Sequence, residues 1–492
     1  MSIFAELKHR NLFKVGADGS ILSWLLKPIT LASVQAFLLI APAVQAQAQD
    51  HPVAESQALH LARQTIAIRS VRGAGNRTAD VARIFADALV GGGWTKDDIE
   101  IVSFEDTAYL IATWPGSDPA LGPIVVSAHM DVVEARPEDW ERDPFTPVVE
   151  NGYLYGRGAS DTKFDGSLVI AALIELRREG FKPKRSIVVA YSGDEETTMA
   201  SSRVIAQRLR NAKLVLNVDG PSGTLSEETG KPLYWSWQGA EKTYIDFHLE
   251  VTNPGGHSSM PREVNAIVQL SHALVRIGAY HFKPELNDIT RDYFKKAAGL
   301  EPDARLAAAM RIFAADPTNK GAIAVLRANP SMVGRIGTTC VPTMINGGHA
   351  ENALPQRALA NVNCRIFPGH SKEEIMAELQ RVAASSQITF TEYNGDTTIT
   401  APASPMDPDF VRAATKAITG AWGNVPVIAS QASGASDSMW YRALGVPSYG
   451  ASGTFTKDSD DYSHGLNERS PLINIKPAIT YYLLLFRDLA AK

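Results

Sequence analysis

Cysteine is almost missing. Only Cys340 and Cys364 occur in 492 residues, and they fit no CxxC spacing. That excludes a zinc-thiolate ribbon and a scaffold built on disulfides. Both fall in predicted strands of one region, so a bond between them stays open. Two separate small buried side chains is the commoner state of such residues. Basic runs are also lacking, and the formal net charge is −5. No footprint for nucleic acid or an anionic membrane surface remains. Beyond the N-terminus no segment reaches the roughly 18 continuous apolar residues of a membrane span. There is no internal repeat and no low-complexity tract. What is left is a globular composition, 45% hydrophobic and 21% charged. The length calls for two domains rather than one core.

The first residues read as an export signal. Lys8, His9, Arg10, Lys14 and Lys27 precede an apolar stretch from Ile29 to Val44. Small residues follow, Ala43-Val44-Gln45-Ala46 and then Gln47-Ala48. A mature chain starting near Gln47 or Gln49 in the periplasm or medium is the expectation. The basic region is long, and Ile21 to Leu26 is a second apolar patch. An uncleaved N-terminal membrane anchor is the alternative. Residues 1–48 are set apart from the fold on this reading.

From residue 49 to about 238 buried strands alternate with helices. Continuous apolar runs, Pro123 to Ala128, Arg185 to Tyr191 and Lys213 to Val218, suit buried parallel strands. Helices are expected over Ser167–Arg178 and Ser201–Arg210. The fold class is α/β, a mostly parallel sheet with helices on both faces. Near Gly239 the pattern changes. Tyr244 to Val251 alternates, Val264–Ile277 and Lys372–Ala384 read as helices, and strands recur around them. A smaller α+β, ferredoxin-like lid domain over 239–400 is expected, carrying a helical insertion at about 284–334. The α/β pattern resumes over 401–492, so the lid is inserted into the catalytic domain.

The chemistry gathers at strand ends. His129 and Asp131 follow the first buried strand, Glu195 and Glu196 the second, and Asp219 the third. Ligands in such sheets collect beyond the carboxyl ends of the strands. Asp161 follows a glycine-rich loop, Tyr155-Gly-Arg-Gly-Ala-Ser, where Gly156 and Gly158 allow close backbone approach. It could otherwise be a helix cap. His464 lies far along the chain. His129, Asp161, Glu196, Asp219 and His464 suit a pair of Zn²⁺ ions sharing one carboxylate. Asp131 can orient the His129 ring. Glu195 is then a spare carboxylate, available as general base in amide hydrolysis.

Several segments resemble one family in its own order. They are His129-Met-Asp131-Val-Val, Gly156-Arg-Gly-Ala-Ser-Asp161, Asp194-Glu-Glu196, Gly256-His257-Ser-Ser-Met-Pro261, Asn352-Ala-Leu-Pro355, Val362-Asn-Cys-Arg365-Ile and His464-Gly-Leu-Asn-Glu468. Over roughly residues 55–490 the chain resembles the zinc metallopeptidases that include glutamate carboxypeptidase, aminoacylase, acetylornithine deacetylase and succinyl-diaminopimelate desuccinylase. It is most similar to their Gly-Xaa carboxypeptidase branch. The resemblance implies that Asp161 bridges two zincs, with His129 and Asp219 completing one site and Glu196 and His464 the other. Co²⁺ or Mn²⁺ are the substitutes it allows. It also implies that His257 stabilises the oxyanion and Arg365 holds the substrate carboxylate. Asn352 and the loop at Gly434 would be further substrate contacts. A homodimer through the lid domain is open, although the insertion departs from the compact dimeric enzymes.

The expectation is an exported hydrolase of a C-terminal peptide bond or an N-acyl amino acid. A biosynthetic deacylase of desuccinylase or deacetylase type is the alternative within the class. A non-catalytic binding protein on the same fold is the alternative outside it.

Overall fold

The computed structural model describes residues 48–393 and 395–492. Residues 1–47, on which the expected export signal falls, therefore lie outside the described residues. Among the described residues no helix is long and apolar enough to cross a membrane.

A ten-stranded sheet forms the larger layer. Ile99–Phe104, Thr107–Trp114, Ile187–Ser192, Ile124–His129, Leu214–Asn217, Ser448–Gly450 and Pro232–Glu241 run side by side in that order. The middle four, from Ile187–Ser192 to Ser448–Gly450, are parallel. The pleat explains their uninterrupted apolar sequences, because alternate residues enter two different cores. Ile124, Val126 and Ala128 join one core, with the helices Pro52–Ile66, Lys163–Arg178 and Ile475–Ala490. Val125 joins the other, with Ala200–Arg208 and Ser438–Ala443. Helices thus cover both faces, as the alternation predicts.

The smaller layer has four antiparallel strands in the order Thr339–Gly347, Arg357–Ile366, Thr243–Thr252, Thr389–Tyr393. With Ala266–Ala279 and Lys372–Ala383 the chain order is βαββαβ, the ferredoxin-like arrangement. Ile245, Phe247, Leu249 and Val251 point to one face, where Leu270 and Leu379 of the two helices cover them.

Three findings differ from the sequence reading. The change of pattern near Gly239 is no break: Gly239 lies inside Pro232–Glu241, and Lys242 alone separates that strand from Thr243–Thr252. The glycine makes room for a neighbour, since a Cβ there would stand 2.4 Å from Ile289. The helical insertion (Asp288–Ala297, Ala304–Ala315, Lys320–Arg327 and Pro330–Val333) interrupts the smaller layer in sequence but packs on the larger one. Ile289 enters the large-sheet core, and the Asp292 carboxylate accepts from the Ala429 amide at 3.1 Å. Lastly, Cys340 and Cys364 are bonded. They sit directly opposite on neighbouring strands, Cα atoms 4.1 Å apart. Separation in sequence hid a register that makes the pair adjacent.

Candidate metal centre

The carboxyl edge of the parallel strands is where the acids and histidines converge. His129 ends Ile124–His129, the triplet Asp194-Glu195-Glu196 follows Ile187–Ser192, and Asp219 follows Leu214–Asn217. Asp161 precedes the helix Lys163–Arg178, whose cap residue is Thr162, so Asp161 is not the cap. The Asp161–Thr162 peptide bond is cis. The glycines before it are required: Gly156 and Gly158 have φ of 147° and 94°. A Cβ on Gly158 would meet Lys163 at 2.8 Å.

Asp161 turns one oxygen to each histidine. Its Oδ1 lies 2.8 Å from His129 Nε2, and its Oδ2 lies 3.0 Å from His464 Nε2. Asp219 Oδ2 stands 3.9 Å from His129 Nε2, and Glu196 Oε1 stands 3.0 Å from His464 Nε2. Two trios result, His129–Asp161–Asp219 and Asp161–Glu196–His464, each with ligand-capable atoms within 4.8 Å of one another.

The electrostatics of the donor set are unbalanced. Burial opposes a charge on His129, but the Asp131 and Asp161 carboxylates raise its pKa well above the usual value. Asp161 and Glu196 push His464 up to about 10. Burial, with Asp161 beside it, pushes Asp219 up to about 8. Burial also raises Glu195 well above the usual carboxylate range, with Asp219, Asp437 and Glu196 adding to it. Burial opposes a charge on Asp161 too, but the two histidines hold it well below the usual carboxylate range. The acids crowded around it resist ionisation, and divalent cations reverse that. Two imidazoles and three carboxylates in this arrangement fit a pair of such cations.

The surroundings hold the donors in place. The Asp131 carboxylate accepts from the amides of Glu195 and Glu196, both at 3.1 Å. The nearer partner of His129 Nδ1 is the Asp131 carbonyl at 2.9 Å, with the carboxylate at 3.6 Å. Asp194 turns away and caps the following helix through the amides of Ala200 and Ser201. Glu468 escaped the sequence reading as a functional residue. It is fully buried and accepts from the amides of Gly158, Ser160 and Asp161 and from Arg157 at 2.6 Å. Arg157 also donates to the carbonyl of Gly465 at 3.2 Å. The pair ties the Asp161 loop to the His464 loop. Its place at the end of the segment His464-Gly-Leu-Asn-Glu468 is the signal it leaves in the sequence.

The residues of the smaller layer divide. Arg365 lines the same cavity of ≈620 Å³ as Asp161, Glu195, Glu196, Asp219 and His464. Its guanidinium lies over the Tyr244 ring at 4.5 Å and donates to the carbonyl of Ser433, next to Gly434. His257 and Asn352 do not line that cavity. They are exposed and near each other, because Gly256–His257 pairs with Ala353–Leu354 and the Ser258 amide donates to the Asn352 carbonyl.

The α/β layer, the inserted ferredoxin-like layer and this donor set define a class, the metal-dependent hydrolases of amide bonds. Residues 125–488 match the Peptidase family M20/M25/M40, and the chain belongs to it. It is 27% identical to the probable carboxypeptidase S-like 2 of Dictyostelium discoideum, over 77% of this chain and 74% of that one. It is 31% identical to the N-fatty-acyl-amino acid synthase/hydrolase of Mus musculus, over 56% of each. The fold is similar to that of the M20 family metallo-carboxypeptidase of Sulfolobus solfataricus. There the TM-score is 0.64 at 17% identity, covering 88% of this chain and 98% of that one. The protein is a hydrolytic enzyme of this family.

Proposed function

We propose that the protein is an exported dinuclear zinc hydrolase that releases an amino acid with a free carboxylate. The bond cut is a C-terminal peptide bond or the amide of an N-acyl amino acid. The observation that carries this reading is one cavity lined by Arg365 together with Asp161, Glu195, Glu196, Asp219 and His464. His129, Asp161 and Asp219 would hold one Zn²⁺, and Asp161, Glu196 and His464 the other. The cations supply Lewis acidity to the scissile carbonyl and to a water molecule. Glu195 takes the water's proton and delivers it to the leaving amine. Arg365 holds the carboxylate of the leaving amino acid with a planar pair of donors that lysine lacks. His257 and Asn352 reach the oxyanion only when the smaller layer closes, pivoting near Lys242 and near residues 397–401.

Relatives named for carboxypeptidase and N-fatty-acyl-amino acid hydrolase activity support both bond types. The Cys340–Cys364 bond supports export, since such bonds persist in oxidising compartments. N-terminal sequencing of the mature protein tests that part, and an intact leader in a membrane fraction would reverse it.

The decisive experiment compares a blocked dipeptide with its C-terminal amide, in wild type and Arg365→Ala. The free acid should lose about ten- to a hundredfold in kcat/KM in the variant. The amide should be poor for wild type and little changed by the substitution. A coupling near zero, or brisk wild-type cleavage of the amide, would remove the carboxylate-recognition reading.

A further inference from the structure

The helical insertion does not close fully against the large sheet. Between them lies a cavity of ≈320 Å³. Ile428 of the strand Val427–Ala432 lines one side, and Tyr293, Leu300, Met310 and Met332 of the insertion line the other. Met310, Met332 and Ile428 are almost fully buried, so the walls are braced from behind. Methionine lines such a space with a soft surface that adapts to a flexible occupant.

Most of the polar groups along it are already engaged, Ser430 with the Trp237 carbonyl at 3.0 Å among them, and Glu301 stands beside Leu300 in the lining. Gln238 Nε2 donates to Glu241 at 3.1 Å. Gln431 Oε1 accepts from Asn287 at 2.9 Å. The Arg335 guanidinium lies 4.4 Å over the Tyr293 ring. A peptide occupant would bring an N–H and a C=O at every residue, each needing a partner. A hydrocarbon chain brings none.

The cavity adjoins the metal centre. Pro221 lines both it and the polar cavity of ≈220 Å³ that Asp161 and Asp219 line. Ala432, which also lines it, precedes Ser433, whose carbonyl accepts from Arg365.

We propose that this cavity is an acyl subsite, which takes the alkyl chain of a long-chain N-acyl amino acid. The proposal rests on the hydrolase reading above and names its substrate class. Water adds across the amide: the acyl C–N bond breaks and a C–O bond forms. The water's proton goes to the amine, and the fatty carboxylate leaves. A dry cavity of about 150 Å³ holds one benzene, so ≈320 Å³ has room for on the order of a dozen apolar carbons.

The experiment measures kcat/KM of the zinc-loaded enzyme for N-acetyl, N-hexanoyl and N-dodecanoyl derivatives of one amino acid. The value should rise by up to about fourfold per methylene before levelling off near a dozen carbons. Leu300→Glu introduces a charge at a position 43% exposed, where folding tolerates it. It should cut the dodecanoyl rate at least about tenfold and leave the acetyl rate unchanged. Metal-free protein should bind a fluorescent dodecanoate probe, and Leu300→Glu should weaken that binding. A flat chain-length profile with brisk acetyl hydrolysis would overturn the subsite and leave the hydrolase reading standing. A chain-length preference that survives Leu300→Glu would also overturn it. No hydrolysis of any acyl amino acid or blocked dipeptide would instead overturn the hydrolase reading, and the subsite with it.

Discussion

The strands Ile124–His129 and Arg357–Ile366 each end near a residue assigned to the reaction, and they treat it differently. His129 is buried, and both faces of its strand are packed. Its ring is held by the Asp131 carbonyl on one side and Asp161 on the other. Arg365 alternates with Cys364 and Ile366, which face the covered side, so it stands on the face the helices leave open. The outer strand Thr339–Gly347 even exposes Val341, Met344 and Ile345. Rigid burial suits a donor that must hold a cation at fixed distance. An open face suits a residue that must meet a substrate and then release it. On the function proposed above, the larger layer holds the reacting centre and the smaller reads what is brought there.

The sharpest way to break that division is at Glu195. Glu195→Gln should keep about two metals per chain and lower kcat by between about a hundredfold and ten-thousandfold, because it removes a base and no ligand. Asp161→Ala should empty both sites, since each trio contains it. Metal analysis decides both. Loss of metal in Glu195→Gln would exchange the roles of Glu195 and Glu196. One cation tightly kept in Asp161→Ala would end the bridging assignment.

How much of this was legible follows the same division. Pro123 to Ala128 and Arg185 to Tyr191 read as buried strands because a parallel strand packed on both faces must be apolar throughout. The strand-end rule then singled out His129, the acidic triplet and Asp219 before any geometry was known. Asp161 and His464 joined them only as further metal-capable residue types, and the resemblance alone implied which site each completes, since loops carry no periodic signal. Arg157 and Glu468 hid in glycine-rich and polar segments that look solvated, although the pair is buried. Arg365, His257 and Asn352 sit at positions where exposure is the ordinary state, so local pattern says nothing of a role. The insertion read correctly as helical. Its attachment to the large sheet depends on Ile289 packing at Gly239, earlier in the chain, and on Asp292 meeting Ala429, more than a hundred residues later.

A smaller effect tests whether the two layers unfold as one. The disulfide closes a sequence separation of 24 residues within the smaller layer. Replacing both partners, Cys340→Ser with Cys364→Ser, should cost about 3 kcal/mol of stability. Metal content should not change, because none of the donors lies on those strands. Chemical denaturation followed alongside metal release measures both. Metal lost together with the disulfide would mean that the smaller layer supports the centre, and the contrast drawn above would fail.

The smallest effect concerns where the insertion is tied to the smaller layer. His370 Nε2 lies 2.9 Å from Glu285, just before the insertion begins, and its Nδ1 lies 3.5 Å from Glu374. The hydrogen bond to Glu285 raises the His370 pKa above its ordinary value of 6.5, against a lesser opposing effect of burial. The charged form is therefore favoured in the folded state. The stabilisation is fully present below about pH 6.5 and is lost as pH rises through the raised folded value. The pair is half-exposed, so screening keeps it under about 1 kcal/mol. Wild type should exceed His370→Gln in denaturant midpoint at pH 5.5, and the gap should close by about pH 9. A gap that stays constant would mean that packing, not charge, holds the insertion to the smaller layer. A gap that widens with pH would show that His370 is neutral in the folded protein, and that the insertion is fixed through Ile289 and Asp292 on the large sheet alone.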